Sequence, residues 1–377
     1  MKDKRNQLLA KQLIHYSTEL KKGETLYLEY KGQNTIELAK CVLEEATQVG
    51  ATTFWYYNDE SLARYFIKGA SEAQFIRQQE LHLELMKRAD AYIGIRGSDN
   101  PFDLADIPAK QMQNFETLFY KPVHLEERVN NTRWVVLRYP NNSMAQLAET
   151  SQEAFEDFYF QVCCANYKKM SKAQEKLAAL MNATDRVRIV SPGTDLSFSI
   201  KGIPVIKCSG KKNIPDGEVY TAPVRDSING QITYNTPSLH QGVVYNKICL
   251  SFAHGKIVKA CCDGNSEQLN HIFDIDEGAR YVGEFAIGVN PFITKAMKDT
   301  LFDEKIDGSI HLTPGAAYKE AYNGNDSTLH WDLVLVQRPE YGGGEIWFDD
   351  KLIRKDGLFI DEELRKSFTK ENLQPEV

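Results

Sequence analysis

The sequence contains no run of about 20 apolar residues, the length that a helix needs to cross a bilayer. It also has no excess of positive charge, because 45 lysine and arginine residues stand against 52 aspartate and glutamate residues. A nucleic-acid partner requires a basic stripe, and an anionic membrane surface attracts basic segments. No apolar core of a secretory signal follows the first charged residues. We therefore expect a cytoplasmic protein that binds neither nucleic acid nor membrane.

Several motifs of catalysis and cofactor binding are missing as well. There is no G-x-G-x-x-G loop or P-loop for nucleotides, and no G-x-S-x-G elbow of the serine hydrolases. The seven cysteines include the neighbouring pairs Cys163-Cys164 and Cys261-Cys262, but none has the C-x-x-C spacing of a zinc or redox site. We predict reduced thiols in a reducing compartment.

The chain of 377 residues is long enough for two domains. Strand and helix patterns alternate in its first third, which predicts an open, largely parallel α/β sheet. Such sheets usually bind ligands beyond the carboxyl ends of their strands. Without a phosphate-binding loop, we favour a scaffold or dimerisation role for this domain, with a small-molecule site as the alternative. The predicted strands are Thr25–Tyr30, Thr52–Tyr57, Ala91–Ile95 and Trp134–Arg138, and the predicted helices are 7–21, 35–49, 60–88 and 106–118.

The pattern changes after a stretch at 144–182 that lacks glycine and proline and is predicted to be helical. Short strands separated by Gly, Asn, Pro and Asp turns follow, with helices predicted around 266–272 and 292–301. We predict an α/β domain at 1–150, a helical connector at 151–185, and a β-rich α+β domain at 186–377. The strands predicted in this last domain are Arg186–Val190, Asp195–Ile200, Val243–Phe252, Lys256–Ala260 and Ile346–Phe348.

Side chains that bind metals concentrate in three segments of the C-terminal half. His330 and Asp332 share one face if 329–336 is a strand, since side chains two residues apart point the same way. Imidazole with carboxylate suits zinc, cobalt or manganese. Several buried acids repel one another unless cations compensate them, which favours two metal ions about 3.5–4 Å apart. The candidate ligands are Glu218, Glu284, Glu304, His311, His330 and Asp332.

These segments together resemble the M29 family of metallo-aminopeptidases, the group of aminopeptidases T and S, over almost the whole chain. The matching stretches are NIPDGEVYTAP, GARYVGEFAIGVNP, LFDEKIDGSIHLTPGAAY and NDSTLHWDLV. The resemblance implies that the six candidates above are metal ligands. It also implies that Tyr318 is a catalytic tyrosine and that the domain at 186–377 is the catalytic one.

The resemblance further implies an aminopeptidase that releases N-terminal residues from short peptides with a free amine, and a homodimer. A water molecule activated by two divalent ions (Zn, Co, Mn or Mg) would attack the scissile carbonyl. Tyr318 would donate a hydrogen bond to the oxyanion, and Glu218 or Glu284 would act as general base. The alternatives are an inactive relative and a metallohydrolase of different specificity, such as a dipeptidase or an esterase.

Overall fold

The computed structural model describes residues 3–100, 103–240 and 242–375. The chain forms two compact units, one from Met1–Cys164 with Gly210–Pro215, the other from Ala165–Ser209 with Asp216–Val377. The helical stretch predicted at 151–185 consists of two helices, Gln152–Cys163 in the first unit and Tyr167–Asn182 in the second.

The first unit is built on a five-stranded parallel sheet, which confirms the predicted α/β class. Its strands are β1 (Thr25–Lys31), β2 (Thr52–Tyr57), β3 (Ala91–Arg96), β4 (Arg133–Arg138) and β5 (Asn213–Ile214), in the order β2-β1-β3-β4-β5.

Both faces of this sheet are largely buried, as is usual for parallel sheets. Leu26 and Leu28 of β1 lie on one face, and Tyr27 with Glu29 on the other. The helices of the unit are Lys4–Lys11, Gln12–Ser17, Gln33–Thr35, Ile36–Val49, Glu60–Gly69, Glu72–Lys87, Ala109–Asn114, Phe115–Arg128, Val129–Asn131, Asn142–Leu147 and Gln152–Cys163.

The helix predicted over 60–88 is two helices. Ser71 accepts a hydrogen bond from the backbone of Gln74, and the Gln74 side chain accepts one from the backbone of Ser71. This capping box starts a new helix, and Ala70 before it has an extended backbone.

The second unit contains two antiparallel sheets, in agreement with the predicted β-rich character. In the smaller sheet, which we call the site sheet, the strands run in the order Leu333–Val336, Ser309–Pro314, Val282–Gly288, Glu218–Thr221 and Ile206–Cys208. The larger sheet has the order Ser238–His240, Val243–Ala253, Asn229–Thr233, Thr194–Ser199, Arg186–Ser191, Glu345–Phe348, Lys351–Lys355 and Leu358–Phe359, with Lys256–Asp263 also beside Val243–Ala253.

The core of this unit lies between the two sheets, where the rings of Phe198 and Phe285 meet at 5.0 Å. Because side chains alternate along a strand, burying Phe285 and Ile287 in this core turns Glu284 to the opposite face of the site sheet. The remaining helices of the unit are Tyr167–Asn182, Ser266–Phe273, Gly278–Arg280, Thr300–Asp303, Lys319–Ala321, Pro339–Tyr341, Glu362–Ser367 and Lys370–Leu373.

The prediction of a helix at 292–301 is wrong for most of its length. Only Thr300–Asp303 is helical. Lys298 has a left-handed backbone with φ of 60°, which interrupts a right-handed helix. Asp299 then caps the short helix by accepting a hydrogen bond from the backbone N–H of Leu301 at 3.2 Å. Among the residues that the structure describes, no helix is both long enough and apolar enough to cross a membrane.

Candidate metal centre

Strand register determines which face of the site sheet carries the candidate ligands. Ala286 lies opposite both Tyr220 and His311, while Gly288 lies opposite Glu218. Directly opposed residues share a face, so Glu218, Glu284 and His311 project from the same side. Ala286 and Gly288 between them carry little or no side chain, which leaves space above the sheet for the longer acids and the imidazole.

Two histidines and three acids form a continuous chain of contacts. Nδ1 of His311 lies 3.8 Å from a carboxylate oxygen of Glu218, and its Nε2 lies 3.2 Å from Glu284. The other oxygen of Glu284 is 3.5 Å from Nε2 of His330. His330 in turn lies 3.4 Å from Asp332. Glu284 is therefore the centre of the cluster, with one imidazole on each oxygen.

Glu304 joins the cluster through a lysine that sequence reasoning missed. Lys305 is completely buried and forms ion pairs with Glu304 and, at 3.6 Å, with Glu218. A buried ammonium requires such partners. The structure thus brings all six candidate ligands together, and adds one cation to them.

Hydrogen bonds behind the ligands orient both imidazoles. Nδ1–H of His330 donates to the carbonyl of Ala316 at 2.8 Å, and Nδ1 of His311 lies 3.1 Å from the carbonyl of Glu304. Thr313 donates to Asp332 at 2.7 Å. Backing of this kind is typical of metal-binding histidines and carboxylates, and it leaves the Nε2 atoms directed at Glu284.

Tyr318 packs at the edge of the cluster. Its ring centroid lies 4.6 Å from that of His330 and 5.8 Å from that of Tyr220. The residue as a whole is 47% exposed, while its ring lies against His330 of the buried cluster. Burial together with the charges of Glu284 and Asp332 raises the pKa of Tyr318 well above its usual range, which keeps the phenol protonated.

The pKa values of the side chains in the cluster reflect an excess of carboxylates over cations. Burial alone would lower the pKa of His311, but its hydrogen bond to Glu284 and the charge of Glu218 raise that pKa to about 10. Burial would likewise lower the pKa of His330, but the charges of Asp332 and Glu284 raise that pKa to about 10. Burial raises the pKa of Glu304 well above its usual value. In the absence of other cations, the cluster therefore retains protons on its histidines.

Divalent cations fit this donor set. Glu284, His330 and Asp332 each place a ligand atom within 4.8 Å of the others, and Cys208, Asp216 and Glu218 form a second such group. Oε2 of Glu218 is buried and has no hydrogen-bond partner, a costly arrangement that a cation would relieve.

One feature of the sequence was interpreted incorrectly. The strand expected at 329–336 begins only at Leu333. His330 and Asp332 nevertheless converge, because His330 is held by an isolated bridge to Gly315.

Sequence reasoning did not single out three residues of the cluster. Lys305 follows Glu304 directly, yet a single lysine is normally exposed. Thr313 lies two residues after His311 on the same strand, and this alternation was the signal available for it. Asp216 belongs to the Pro-Asp-Gly turn, where an aspartate usually stabilises the turn itself.

Comparison with known proteins agrees with this site. A model of the family described as thermophilic metalloprotease (M29) matches residues 2–341. Aminopeptidase T of Thermus thermophilus is 26% identical over 381 residues, with 88% of this chain and 92% of that protein covered. Aminopeptidase PepS of Streptococcus thermophilus is 24% identical, with 86% and 90% covered.

The fold is similar to a solved structure as well. Wild-type AmpT from Thermus thermophilus superimposes with a TM-score of 0.78 at 22% identity, covering 95% of this chain and 100% of that one. This structural likeness confirms the mixed α/β architecture. The family match extends over most of the chain and confirms the resemblance recognised in the sequence motifs. This chain belongs to the M29 family of metalloproteases.

Proposed function

We propose that this protein is a metal-dependent aminopeptidase, which releases N-terminal residues from short peptides. The observation that carries the proposal is the convergence of four carboxylates and two imidazoles in one buried cluster around Glu284. Membership of a metalloprotease family and similarity to proteins named aminopeptidases support the same reaction class.

The proposed metal ligands divide between two sides of Glu284. Four carboxylates and two imidazoles offer more donors than the three that a single catalytic zinc takes from protein, which supports two divalent ions. When bound, these ions would polarise the scissile carbonyl and activate a water molecule. The proposed ligands are Glu218, Glu284, Glu304, His311, His330 and Asp332.

Side chains of the cluster also transfer protons, stabilise the oxyanion and hold the ligands in place. Glu218 or Glu284 accepts the proton of the attacking water molecule. Oε2 of Glu218 is buried without a hydrogen bond, which makes that residue the first to test. Tyr318 donates a hydrogen bond to the oxyanion that develops on the substrate. Lys305 fixes Glu218 and Glu304 and cancels part of their charge.

The test combines metal content with activity. We expect about two divalent ions per chain, and hydrolysis of leucine p-nitroanilide that is lost on chelation and restored by zinc, cobalt, manganese or magnesium. A peptide with a free N-terminus should be cleaved, and its N-acetylated form should not. Cleavage of the acetylated peptide would instead indicate a metallohydrolase of another specificity, and metal binding without any hydrolysis an inactive relative.

The family resemblance also supports a homodimer, and the cysteine pattern supports a reducing, cytoplasmic setting. All seven cysteines are free thiols in the described residues, in accord with that setting. Sedimentation equilibrium of the full chain measures the oligomeric state, and a mass of one chain at all concentrations would contradict the dimer.

A further inference from the structure

The first unit contains a cavity of about 570 Å³ that the peptidase reaction does not use. We call it the N-terminal pocket. It lies over the face of the sheet that carries Glu29, and its walls include the last residues of β1, β2 and β3: Lys31, Tyr57 and Arg96. The volume is typical of small-molecule sites, which occupy about 300–1,000 Å³.

The pocket lies where the strand order of the sheet reverses. The chain passes from β1 to β2 on one side and then returns to place β3 on the other side of β1. Open α/β sheets bind ligands beyond the carboxyl ends of their strands at such a point.

A glycine makes room for the tyrosine that holds Glu29. Gly94 of β3 lies beside Glu29 of β1 and lines the pocket. A Cβ atom at this position would come within 2.9 Å of the Tyr92 ring and 3.2 Å of Val136. The glycine therefore lets the Tyr92 hydroxyl reach Glu29 at the base of the pocket.

The deep end of the pocket is acidic. Glu29 is only 7% exposed and accepts hydrogen bonds from Asn58 and from the Tyr92 hydroxyl, both at 2.8 Å. His124 lies 3.9 Å away, but burial lowers its pKa to about 4, so that its imidazole is neutral at pH 7. The two groups that donate hydrogen bonds to Glu29 are neutral, and against the effect of burial the nearby charge of Lys31 contributes to a lowered pKa of Glu29. Each carboxylate oxygen keeps a lone pair for a further donor.

Beyond Glu29, the pocket lining carries two cations, Lys31 and Arg96, and two further acids, Asp59 and Glu60. Lys31 and Arg96 are register partners at the ends of β1 and β3, two residues beyond Glu29 and Gly94, which is about 7 Å along a strand. Lys31 lies 3.8 Å from Glu60, and Arg96 is exposed. Two cations and the buried Glu29 therefore line the same cavity.

Aromatic side chains form a large part of the pocket wall. Phe115 and Phe119 line the pocket and stack with ring centroids 5.4 Å apart. Tyr56 and His82 line it as well, with their rings 5.1 Å apart. Such rings favour an aromatic ligand, and their faces attract an ammonium group.

We propose that the N-terminal pocket binds a zwitterionic amino acid or dipeptide with an aromatic side chain. The ammonium group contacts Glu29, the carboxylate contacts Lys31 and Arg96, and the ring packs against Phe115 and Phe119. Such a ligand has the chemistry of an aminopeptidase product or substrate. That link alone rests on the proposed function, whereas the binding site does not.

The experiment is calorimetric titration of the full metal-loaded protein with L-phenylalanine, phenethylamine and 3-phenylpropionate. We expect saturable binding of L-phenylalanine, and binding at least about tenfold weaker for each analogue that lacks one charge. Glu29→Gln should weaken L-phenylalanine binding about tenfold or more, but not that of 3-phenylpropionate. Arg96→Gln should weaken the binding of L-phenylalanine but leave the binding of phenethylamine unchanged.

A matched pair of alanine-to-leucine variants tests where the ligand binds. Ala63 lines the pocket, so Ala63→Leu should abolish binding by filling it. Ala73 is exposed on the next helix and does not line the pocket, so Ala73→Leu should bind normally. If Glu29→Gln fails to fold, the Ala63 and Arg96 variants decide alone.

Chelation separates this site from the metal centre. Binding that persists in chelated protein and disappears in Ala63→Leu supports the proposal, even if no peptidase activity is found. No saturable binding of L-phenylalanine, or binding that survives Ala63→Leu and disappears on chelation, would overturn it.

Discussion

Glu29 in the first unit and Glu284 in the second are both glutamates on inner strands of a sheet, and both are almost completely buried. Their surroundings differ in kind. Glu29 accepts hydrogen bonds from an amide and a phenol. Glu284 is enclosed by two histidines and lies in a cluster with three further carboxylates.

The difference shows two ways to keep an acid inside a protein. Neutral donors satisfy a single carboxylate and leave its charge available to an organic cation. Several acids together cannot be satisfied by neutral donors, because their mutual repulsion remains. Protonated histidines, a buried lysine or metal ions must then supply positive charge.

The largest effect that would test this comparison is expected from Glu284→Gln. The variant removes the charge at the centre of the cluster, so we expect loss of bound metal and a fall in kcat/KM of about 1,000-fold or more. Elemental analysis and leucine p-nitroanilide kinetics measure both. Glu267→Gln, at an exposed helical glutamate, is the matched control. Near-normal metal content in Glu284→Gln would remove this residue from the ligand set.

Lys305→Met tests whether the acids need internal positive charge. Removing one partner of a buried ion pair costs about 3–5 kcal/mol, and here two carboxylates lose their partner. We expect a loss of this size in the unfolding free energy of metal-free protein, and a smaller loss when metal is bound. Denaturant unfolding with and without chelator measures the difference, and Lys259→Met, at an exposed strand position, is the control. Equal losses in both states would contradict compensation by metal.

Tyr318→Phe separates catalysis from charge balance. The variant removes a hydrogen-bond donor without changing the net charge, so metal content should stay normal while kcat falls about 100-fold. Tyr322 is similarly exposed, and its hydroxyl donates to Asp326 at 2.8 Å. Tyr322→Phe should therefore retain nearly full kcat. If the two variants have equal activity, Tyr318 has no role at the oxyanion.

Asp276 is a second carboxylate that, like Glu29, accepts hydrogen bonds from neutral donors. It accepts hydrogen bonds from the backbone of Ala279 and Thr328 and from the Ser327 hydroxyl. Against the opposing effect of burial, these donors lower the pKa of Asp276 to about 2 from its usual 3.8. A lowered pKa stabilises the fold above the usual value and ceases to do so as pH falls through the lowered one.

The smallest predicted effect follows from that shift. Between about pH 5 and about pH 3, wild-type protein should lose about 1 kcal/mol more unfolding free energy than Asp276→Asn. Denaturant unfolding at the two pH values measures this, with Asp226→Asn as an exposed control. A steeper loss in Asp276→Asn than in wild type would reverse the assigned sign.

Much of the architecture was predictable because it depends on local patterns. The four long strands of the first unit were predicted close to their observed bounds, since each is a short apolar run between turn residues. The helix expected at 292–301 failed where one left-handed residue, Lys298, outweighed the apolar spacing. The six candidate ligands came from motifs, and their role remains a prediction.

Residue types and spacing determined the alternating first unit and the β-rich second unit, and the resemblance of the motif stretches identified the family. Only the tertiary structure decided which charges meet. Lys305 is an ordinary lysine in sequence, and its burial follows from the short helix that places it between Glu218 and Glu304. Glu29 faces a cavity because β1 occupies the point where the strand order reverses. Contacts between residues far apart in the chain depend on sheet register and packing, which no local pattern contains.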